Sequence, residues 1–89
     1  MYRLEYSSQF KKDFKKVIKM PISDVLEVGN VIKTLQRGEA LHTRYKDHPL
    51  TGNWHEFRDC HIKPDLVLIY RIDQNRLQLA RIGSHSDLF

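Results

Sequence analysis

RDCHIKPDLVLIY, residues 58–70, contains the stretch that decides the fold. Its second half opens a strongly apolar segment, Leu66–Ile72, which predicts a β-strand. Its first half belongs to another predicted strand, Trp54–Ile62, and the Lys63-Pro64 pair between them is typical of a turn. The stretch therefore predicts an antiparallel hairpin.

Further along the chain, Arg76–Ile82 predicts a third strand that is joined to the hairpin by a Gln74-Asn75 turn. Before the hairpin, residues 39–53 contain turn formers and no regular pattern, so we expect an irregular segment there. The C-terminal half of the chain thus predicts three antiparallel strands connected by short turns.

The N-terminal half predicts a short strand at Tyr2–Tyr6 and two helices. Apolar residues recur at helical spacing within Ser8–Lys19, and Ser7 and Ser8 are good N-caps. A second helix begins after Pro21, with Ser23 or Asp24 as its cap, and ends at Gly38. The order β-α-α-β-β-β predicts a single α+β domain, residues 1–89, with a helical hairpin packed on a small antiparallel sheet.

Composition limits the function classes. The 89 residues carry 15 Lys and Arg against 11 Asp and Glu, a net charge of +4, which favours contact with phosphates or an acidic protein. A single cysteine, Cys60, allows no internal disulfide and suits a reducing cytoplasm. The first residues, Met1–Tyr6, contain no long apolar stretch, so we expect neither a signal peptide nor a membrane span.

Strand pairing predicts where chemistry is located. A hairpin centred on Lys63-Pro64 places Ile62 opposite Asp65, and a hairpin centred on Gln74-Asn75 places Asp65 opposite Ser84. His61 and His85 are neighbours of those positions. We therefore expect two imidazoles and one carboxylate at the same end of the sheet.

Two histidines beside a carboxylate are typical of general acid–base catalysis. RNA cleavage by its own 2′-hydroxyl needs a base, an acid and a cation for the phosphorane charge. Arg81 is the candidate phosphate contact because it lies nearest the histidine end. Phe89 is the candidate base-stacking residue, since it follows the last strand and lies past His85.

Two other interpretations of these residues stay open. They are compatible with ordinary polar side chains at strand ends, and histidine and aspartate are also good metal ligands. The chain contains no compact ligand motif such as H-E-x-x-H, so we expect neither a metal nor another cofactor.

Three segments carry a resemblance to a known family. They are YKDHPLTGNW (residues 45–54), RDCHIKPDLVLIY (residues 58–70) and RIGSHSDLF (residues 81–89). In combination they resemble the YafQ branch of the RelE/ParE toxin superfamily, and the N-terminal strand and helical hairpin also suit the RelE-like fold. One difference is Leu66, because the family often has tryptophan after the P-D pair, and its replacement bears on substrate positioning or codon preference.

The resemblance implies a toxin of a type II toxin–antitoxin system. Such a toxin is a ribosome-dependent endoribonuclease that cuts mRNA in the decoding site. A cognate antitoxin inhibits it, and the complex contacts operator DNA mainly through the antitoxin. The resemblance implies that the active residues are His48, His61, Asp65, His85 and Phe89, and His48 depends on the resemblance alone.

The resulting hypothesis is metal-independent cleavage in which the 2′-hydroxyl attacks the adjacent phosphate. His85 is the candidate general acid, and His61 or Asp65 is the base or orients the base. His48 takes part in proton transfer or contacts the phosphate. Two alternatives use the same fold: a non-enzymatic inhibitor like the gyrase-poisoning ParE relatives, and an RNA-binding domain without catalysis.

Overall fold

A five-stranded mixed sheet forms the centre of the molecule, which a computed structural model describes over residues 1–89. The strand order is β1-β5-β4-β3-β2, with bounds β1 (Arg3–Tyr6), β2 (His48–Pro49), β3 (Arg58–Lys63), β4 (Leu66–Asp73) and β5 (Arg76–Gly83). Strand β1 runs parallel to β5, and the other pairs are antiparallel. The predicted α+β class is confirmed, with this one parallel pair as an addition to the antiparallel sheet.

Three helices accompany the sheet: α1 (Ser8–Val17), α2 (Ile22–Gln36) and α3 (His85–Leu88). Helix α1 begins as predicted, because the Ser7 hydroxyl accepts a hydrogen bond of 2.9 Å from the Phe10 N–H. Helix α2 ends before Gly38, whose φ of +75° is the left-handed conformation that glycine favours. Its start differs from the prediction, since Pro21 occupies the N-cap and Asp24 lies in the first turn.

The sheet is covered on both faces. On one face the two long helices pack against strand side chains, in a core that includes Phe10, Val17, Val28, Val31, Leu35, Leu68, Tyr70, Leu77, Leu79 and Ile82. On the other face a smaller cluster covers β4 and contains Val67, Ile69 and Leu88, with Leu50, Trp54, Phe57 and Ala80 packed against it. Strand β4 is therefore buried on both sides.

The segment before β3 differs from the prediction. Residues Gly52–Trp54 form a short 3-10 helix, so the strand expected from Trp54 begins only at Arg58. Gly52 has a φ of +66°, which is incompatible with an extended strand. The segment expected to be irregular also contains β2, a two-residue strand that pairs with β3.

Two β-bulges change the predicted register. Arg81 pairs with Ile69 and not with Leu68, because Ala80 is an extra residue in β5. In the first hairpin the turn is Pro64-Asp65 and not the predicted Lys63-Pro64, and Ile62 is an extra residue in β3, so the predicted pairing of Ile62 with Asp65 is wrong. A bulge adds one residue to one strand only, so a register counted outward from a turn does not detect it.

Beyond the end of β1, helix α1 contacts β5 through Asp13. This carboxylate accepts hydrogen bonds from the Arg81 guanidinium (Nε, 2.8 Å) and from the Ile82 N–H (3.1 Å). Burial by itself raises the pKa of Asp13, but the hydrogen bonds from Arg81 and Ile82 outweigh it, and the net pKa is lowered. The Ser7 hydroxyl donates to the Ala80 carbonyl at 2.7 Å, so two residues of this region connect the helix to the strand.

We predict that Asp13→Asn lowers the free energy of unfolding at neutral pH by about 1–3 kcal/mol, the range for hydrogen bonds to charged groups. Because the folded-state pKa of Asp13 is depressed, its contribution is present above the unfolded value of 3.8 and is lost as pH falls through the folded pKa. The difference between wild type and variant should therefore shrink in acid. Urea unfolding of wild type and variant, at neutral pH and in acid, measures this difference in the free energy of unfolding.

The matched control is Asp73→Asn. Asp73 pairs with Arg76 at 2.6 Å, but both side chains are substantially exposed, so the loss should be small. Equal destabilisation by the two variants would contradict the role given to Asp13.

Candidate active site

Three histidines lie side by side at one end of the sheet. They come from β2, β3 and the short helix α3. The ring centroids of His48 and His61 are 6.1 Å apart, and those of His61 and His85 are 5.1 Å apart. Because successive side chains of a strand alternate, Cys60 points into the core and His61 projects from the opposite face. The structure thus brings His61 and His85 together as the strand pairing predicted.

Asp65 holds His85 by two hydrogen bonds. Its Oδ1 accepts from the backbone N–H of His85 and contacts His85 Nδ1, both at 3.0 Å. A carboxylate only accepts hydrogen bonds, so Nδ1 carries a proton and Nε2 is the atom left for reaction. The Ser84 hydroxyl caps α3 by accepting from the Asp87 N–H at 3.2 Å, which starts the helical turn at His85.

The hydrogen bonds also decide what Asp65 can do. The backbone N–H of His85, followed by its ring, lowers the pKa of Asp65 below its ordinary value. A carboxylate with a lowered pKa is a weaker base. The sequence left open whether His61 or Asp65 is the base. The geometry favours His61 as the base and Asp65 as the group that orients His85.

His48 reaches the cluster from the loop before β3. Lys46 has a φ of +51°, and its carbonyl lies 2.6 Å from His48 Nδ1, which fixes the ring against the turn. Strand β2 then pairs His48 with Asp59 of β3. His48 therefore lies beside the cluster, where the resemblance implied an active residue. The strand registers predicted from the sequence did not include His48, because it lies before the first predicted hairpin strand.

Asp59 is the residue of the cluster that sequence reasoning missed. Its Oδ1 lies 3.1 Å from His48 Nε2 and 3.9 Å from His61 Nε2, and the residue is only 5% exposed. A signal was present, since Asp59 and His61 are two residues apart on one strand and share a face. An aspartate next to a buried Cys60 was also unusual for a strand of a small sheet.

Phe89 lies beside the histidines, as expected. Its backbone N–H donates to the His85 carbonyl at 2.9 Å, and its ring centroid is 6.5 Å from that of His85. The residue is 60% exposed. An exposed aromatic ring next to the cluster is available to stack on a base.

Arg81 lies near the cluster, but its guanidinium is engaged within the protein. It lines a surface cleft together with Asp65 and Ser84, but its guanidinium is bound to Asp13, and its side chain is only 22% exposed. The bulge at Ala80 and the approach of α1 place a carboxylate beside the arginine. A guanidinium that is already paired with a carboxylate is less available to a phosphate, and the phosphate contact of Arg81 stays a prediction.

Several other residues are accounted for by packing or turns. Leu66 is 4% exposed in the helix-side core, so this chain does not use that position to contact a substrate. Burial raises the pKa of the Cys60 thiol, which makes it a poor nucleophile. His42 accepts from the Arg44 N–H and His55 contacts the Gly52 carbonyl, and both stabilise short 3-10 turns.

The ring nitrogens of the cluster face different neighbours. No group of three or more His, Cys, Asp or Glu side chains converges closely enough to hold an ion. Within the cluster, His48 Nδ1 faces a carbonyl and His85 Nδ1 faces Asp65. The arrangement is suited to moving protons between imidazoles and a substrate placed among them.

Comparisons with known proteins agree with this geometry. Residues 2–89 match the family model described as the bacterial toxin of type II toxin–antitoxin systems, YafQ. The mRNA interferase toxin YafQ of Escherichia coli strain K12 is 38% identical over 87 residues, covering 97% of this chain and 94% of that protein. The metal-bound toxin from Helicobacter pylori has 42% identity and a TM-score of 0.88 with both chains fully covered.

In the E. coli DinJ-YafQ complex, YafQ is 36% identical to this chain with a TM-score of 0.88, covering 100% of this chain and 99% of that one. The family model spans almost the entire chain, and sequence and structure agree over the same length. With its histidines at the end of a RelE-like sheet, the chain belongs to the YafQ family of bacterial type II toxins.

Proposed function

We propose that this chain is the toxin of a type II toxin–antitoxin system, an endoribonuclease that cleaves mRNA on the ribosome. The observation that carries the proposal is the Asp65–His85 pair, whose imidazole lies beside His61 with ring centroids 5.1 Å apart. The similar E. coli protein is an mRNA interferase, and this arrangement supplies the proton-transfer groups that such a reaction requires.

The reaction uses the 2′-hydroxyl of the RNA as its nucleophile. His61 accepts the proton of that hydroxyl while the oxygen forms a bond to the adjacent phosphorus. His85 Nε2 donates a proton to the 5′-oxygen as its bond to phosphorus breaks. The products are a 2′,3′-cyclic phosphate and a 5′-hydroxyl, and the protons lost and gained by the two histidines balance.

The local environments of the two histidines support these assignments. Asp65 holds His85 in one orientation through its Nδ1, which leaves Nε2 to face the substrate. No hydrogen bond within the protein engages the His61 ring, whose Nε2 lies 3.9 Å from Asp59 Oδ1, so the ring is available as a base. Phe89 stacks on a base next to the scissile bond.

The proposed reaction needs no metal ion. The similar H. pylori toxin has a metal-bound structure, so a metal must be considered for this chain as well. No group of three or more His, Cys, Asp or Glu side chains is arranged to hold an ion, and the proposed proton transfers need only the imidazoles. We therefore assign the chemistry to side chains alone.

The partners follow from the family. The E. coli relative forms a complex with the antitoxin DinJ, and we propose that a cognate antitoxin binds and inhibits this chain. The net charge of +4 favours an acidic partner and ribosomal RNA. The complex would contact operator DNA through the antitoxin, and the site of action would be the cytoplasm. No helix of the structure has the length and apolar character needed to cross a membrane.

We predict that His85→Ala lowers the rate of mRNA cleavage on purified ribosomes by about 10²- to 10⁴-fold, the range for loss of a general acid. A His61→Ala, His85→Ala double variant should leave mRNA intact and permit growth. His55→Ala is the control, because that surface histidine lies outside the cluster. Equal toxicity of the double variant with intact mRNA would favour the ParE-like inhibitor instead.

A second prediction concerns metal. Cleavage by toxin that was treated with a chelator should equal that of untreated toxin once the magnesium needed by the ribosome is restored, because the histidines transfer the protons. The measurement is the cleavage rate before and after treatment. Loss of activity that returns only with a transition metal would overturn the metal-independent mechanism.

A third prediction concerns Phe89. Base stacking on an aromatic side chain is worth about 1–3 kcal/mol, so Phe89→Ala should raise KM by about 5- to 150-fold with a smaller effect on kcat. Phe89→Trp should retain most of the affinity. Tyr6→Ala is the control, since Tyr6 is 50% exposed on β1 at the other edge of the sheet. An unchanged KM for Phe89→Ala would exclude stacking.

A further inference from the structure

Asp47, which directly precedes β2, is held by side chains from two strands of the sheet. Its Oδ1 accepts a hydrogen bond of 2.7 Å from the Tyr70 hydroxyl on β4 and one of 3.2 Å from Arg58 Nε on β3. Tyr70 is 1% exposed and lies in the core on the helix side of the sheet. Burial, followed by the hydrogen bond to Asp47, raises the pKa of Tyr70, so its hydroxyl remains a donor at neutral pH. These contacts join the loop before β3 to a fixed point in the core.

The side chains of Asp47 and its neighbour His48 lie on opposite faces of the sheet. Asp47 contacts Tyr70 on the helix side, while the ring centroid of His48 lies 6.1 Å from that of His61 on the other side. Because the side chains of an extended segment alternate, holding Asp47 on one face directs His48 to the other. A shift of the loop by one residue would turn His48 away from the cluster.

The segment around His48 has few other attachments to the sheet. Strand β2 contains two residues and pairs only with β3. Tyr45 is buried in the core before it, and Leu50 packs on the opposite face after it. Between these two residues, Asp47 is the one whose side chain is hydrogen-bonded to both β3 and β4. Such an attachment matters for a catalytic group on a loop, since a displacement of about 1 Å can lower a rate by about 10²-fold.

We propose that Asp47 is a positioning residue, which fixes the loop to β3 and β4 and so places His48 beside His61 for catalysis. The proposal rests on the RNA cleavage proposed above, in which His48 belongs to the active cluster. One acceptor oxygen is sufficient for this role, because the Tyr70 hydroxyl and the Arg58 guanidinium both donate to Oδ1. An asparagine can present an oxygen at the same place, whereas an alanine cannot.

Cleavage kinetics on the ribosome test the role of this contact. Asp47→Ala should lower kcat by about 10²-fold with little change in KM, because His48 is displaced while the RNA-binding surface stays. Asp47→Asn, which keeps the acceptor oxygen, should retain about tenfold more activity than Asp47→Ala. The matched control is Asp73→Ala, at an exposed aspartate paired with Arg76, and it should leave kcat unchanged. An unchanged kcat for Asp47→Ala, or equal losses in the alanine and asparagine variants, would contradict the proposal.

A double-mutant cycle tests the link to the core. Tyr70→Phe removes the hydroxyl and keeps the ring packed on the helix side, and it should also lower kcat. Combined with Asp47→Ala, it should cause little further loss, since both variants break the same contact. Fully additive losses would show that Asp47 and Tyr70 act separately and would overturn the proposal.

The placement of His48 can also be measured without the ribosome. The protein is the full-length His85→Gln variant, chosen to limit toxicity during expression, with and without Asp47→Ala. A nuclear Overhauser contact between the rings of His48 and His61 should be present with aspartate and absent with alanine. Its persistence in the alanine variant would refute the positioning role.

A second pair of rings in the same spectra serves as the control for folding. Trp54 and Phe57 lie in the same loop with ring centroids 5.1 Å apart, and they should stay in contact in both proteins. Loss of both contacts in Asp47→Ala would assign Asp47 to the stability of the loop as a whole and contradict a specific role toward His48. If wild-type toxin failed to cleave mRNA, the proposed function would fall, whereas the ring contacts would still decide whether Asp47 places His48.

Discussion

The need to bury β4 on both faces determines most of this structure. Val67, Leu68 and Ile69 are each 0% exposed, and at about 25 cal/mol per Å² such burial is a main source of stability for a small domain. The helical hairpin covers one face only. The other face must be covered by the remaining segments, which are the loop before β3 and the C-terminal turn.

Covering that second face also assembles the site. Leu50, Trp54 and Phe57 pack on β4 and place the loop that holds His48, while Leu88 packs on the same face and places His85 and Phe89. His61 projects between them from β3. The three histidines are thus brought together by segments whose apolar residues close the core, and the polar residues of those segments are left at the rim.

The sequence predicted those parts of the fold that depend on local patterns. Alternation and turn residues located the hairpins, and the N-cap at Ser7 and the stop at Gly38 located two helix ends. The parallel pairing of β1 with β5 involves residues more than 70 positions apart and leaves no local pattern. The bulges at Ile62 and Ala80 and the turn at Pro64-Asp65 shifted the predicted pairs of single residues, while the convergence of His61 and His85 held because an error of one or two residues leaves both at the same end of the sheet.

The charges around the site depend on tertiary contacts and not on local sequence patterns. An arginine was the natural candidate for the phosphate charge, because a guanidinium is always protonated. Tertiary packing placed Asp13 against Arg81 and Asp59 against His48, and neither contact can be read from sequence spacing. The guanidinium of Arg81 pairs with Asp13 and joins α1 to β5. His48, a titratable residue, lies beside the buried carboxylate of Asp59.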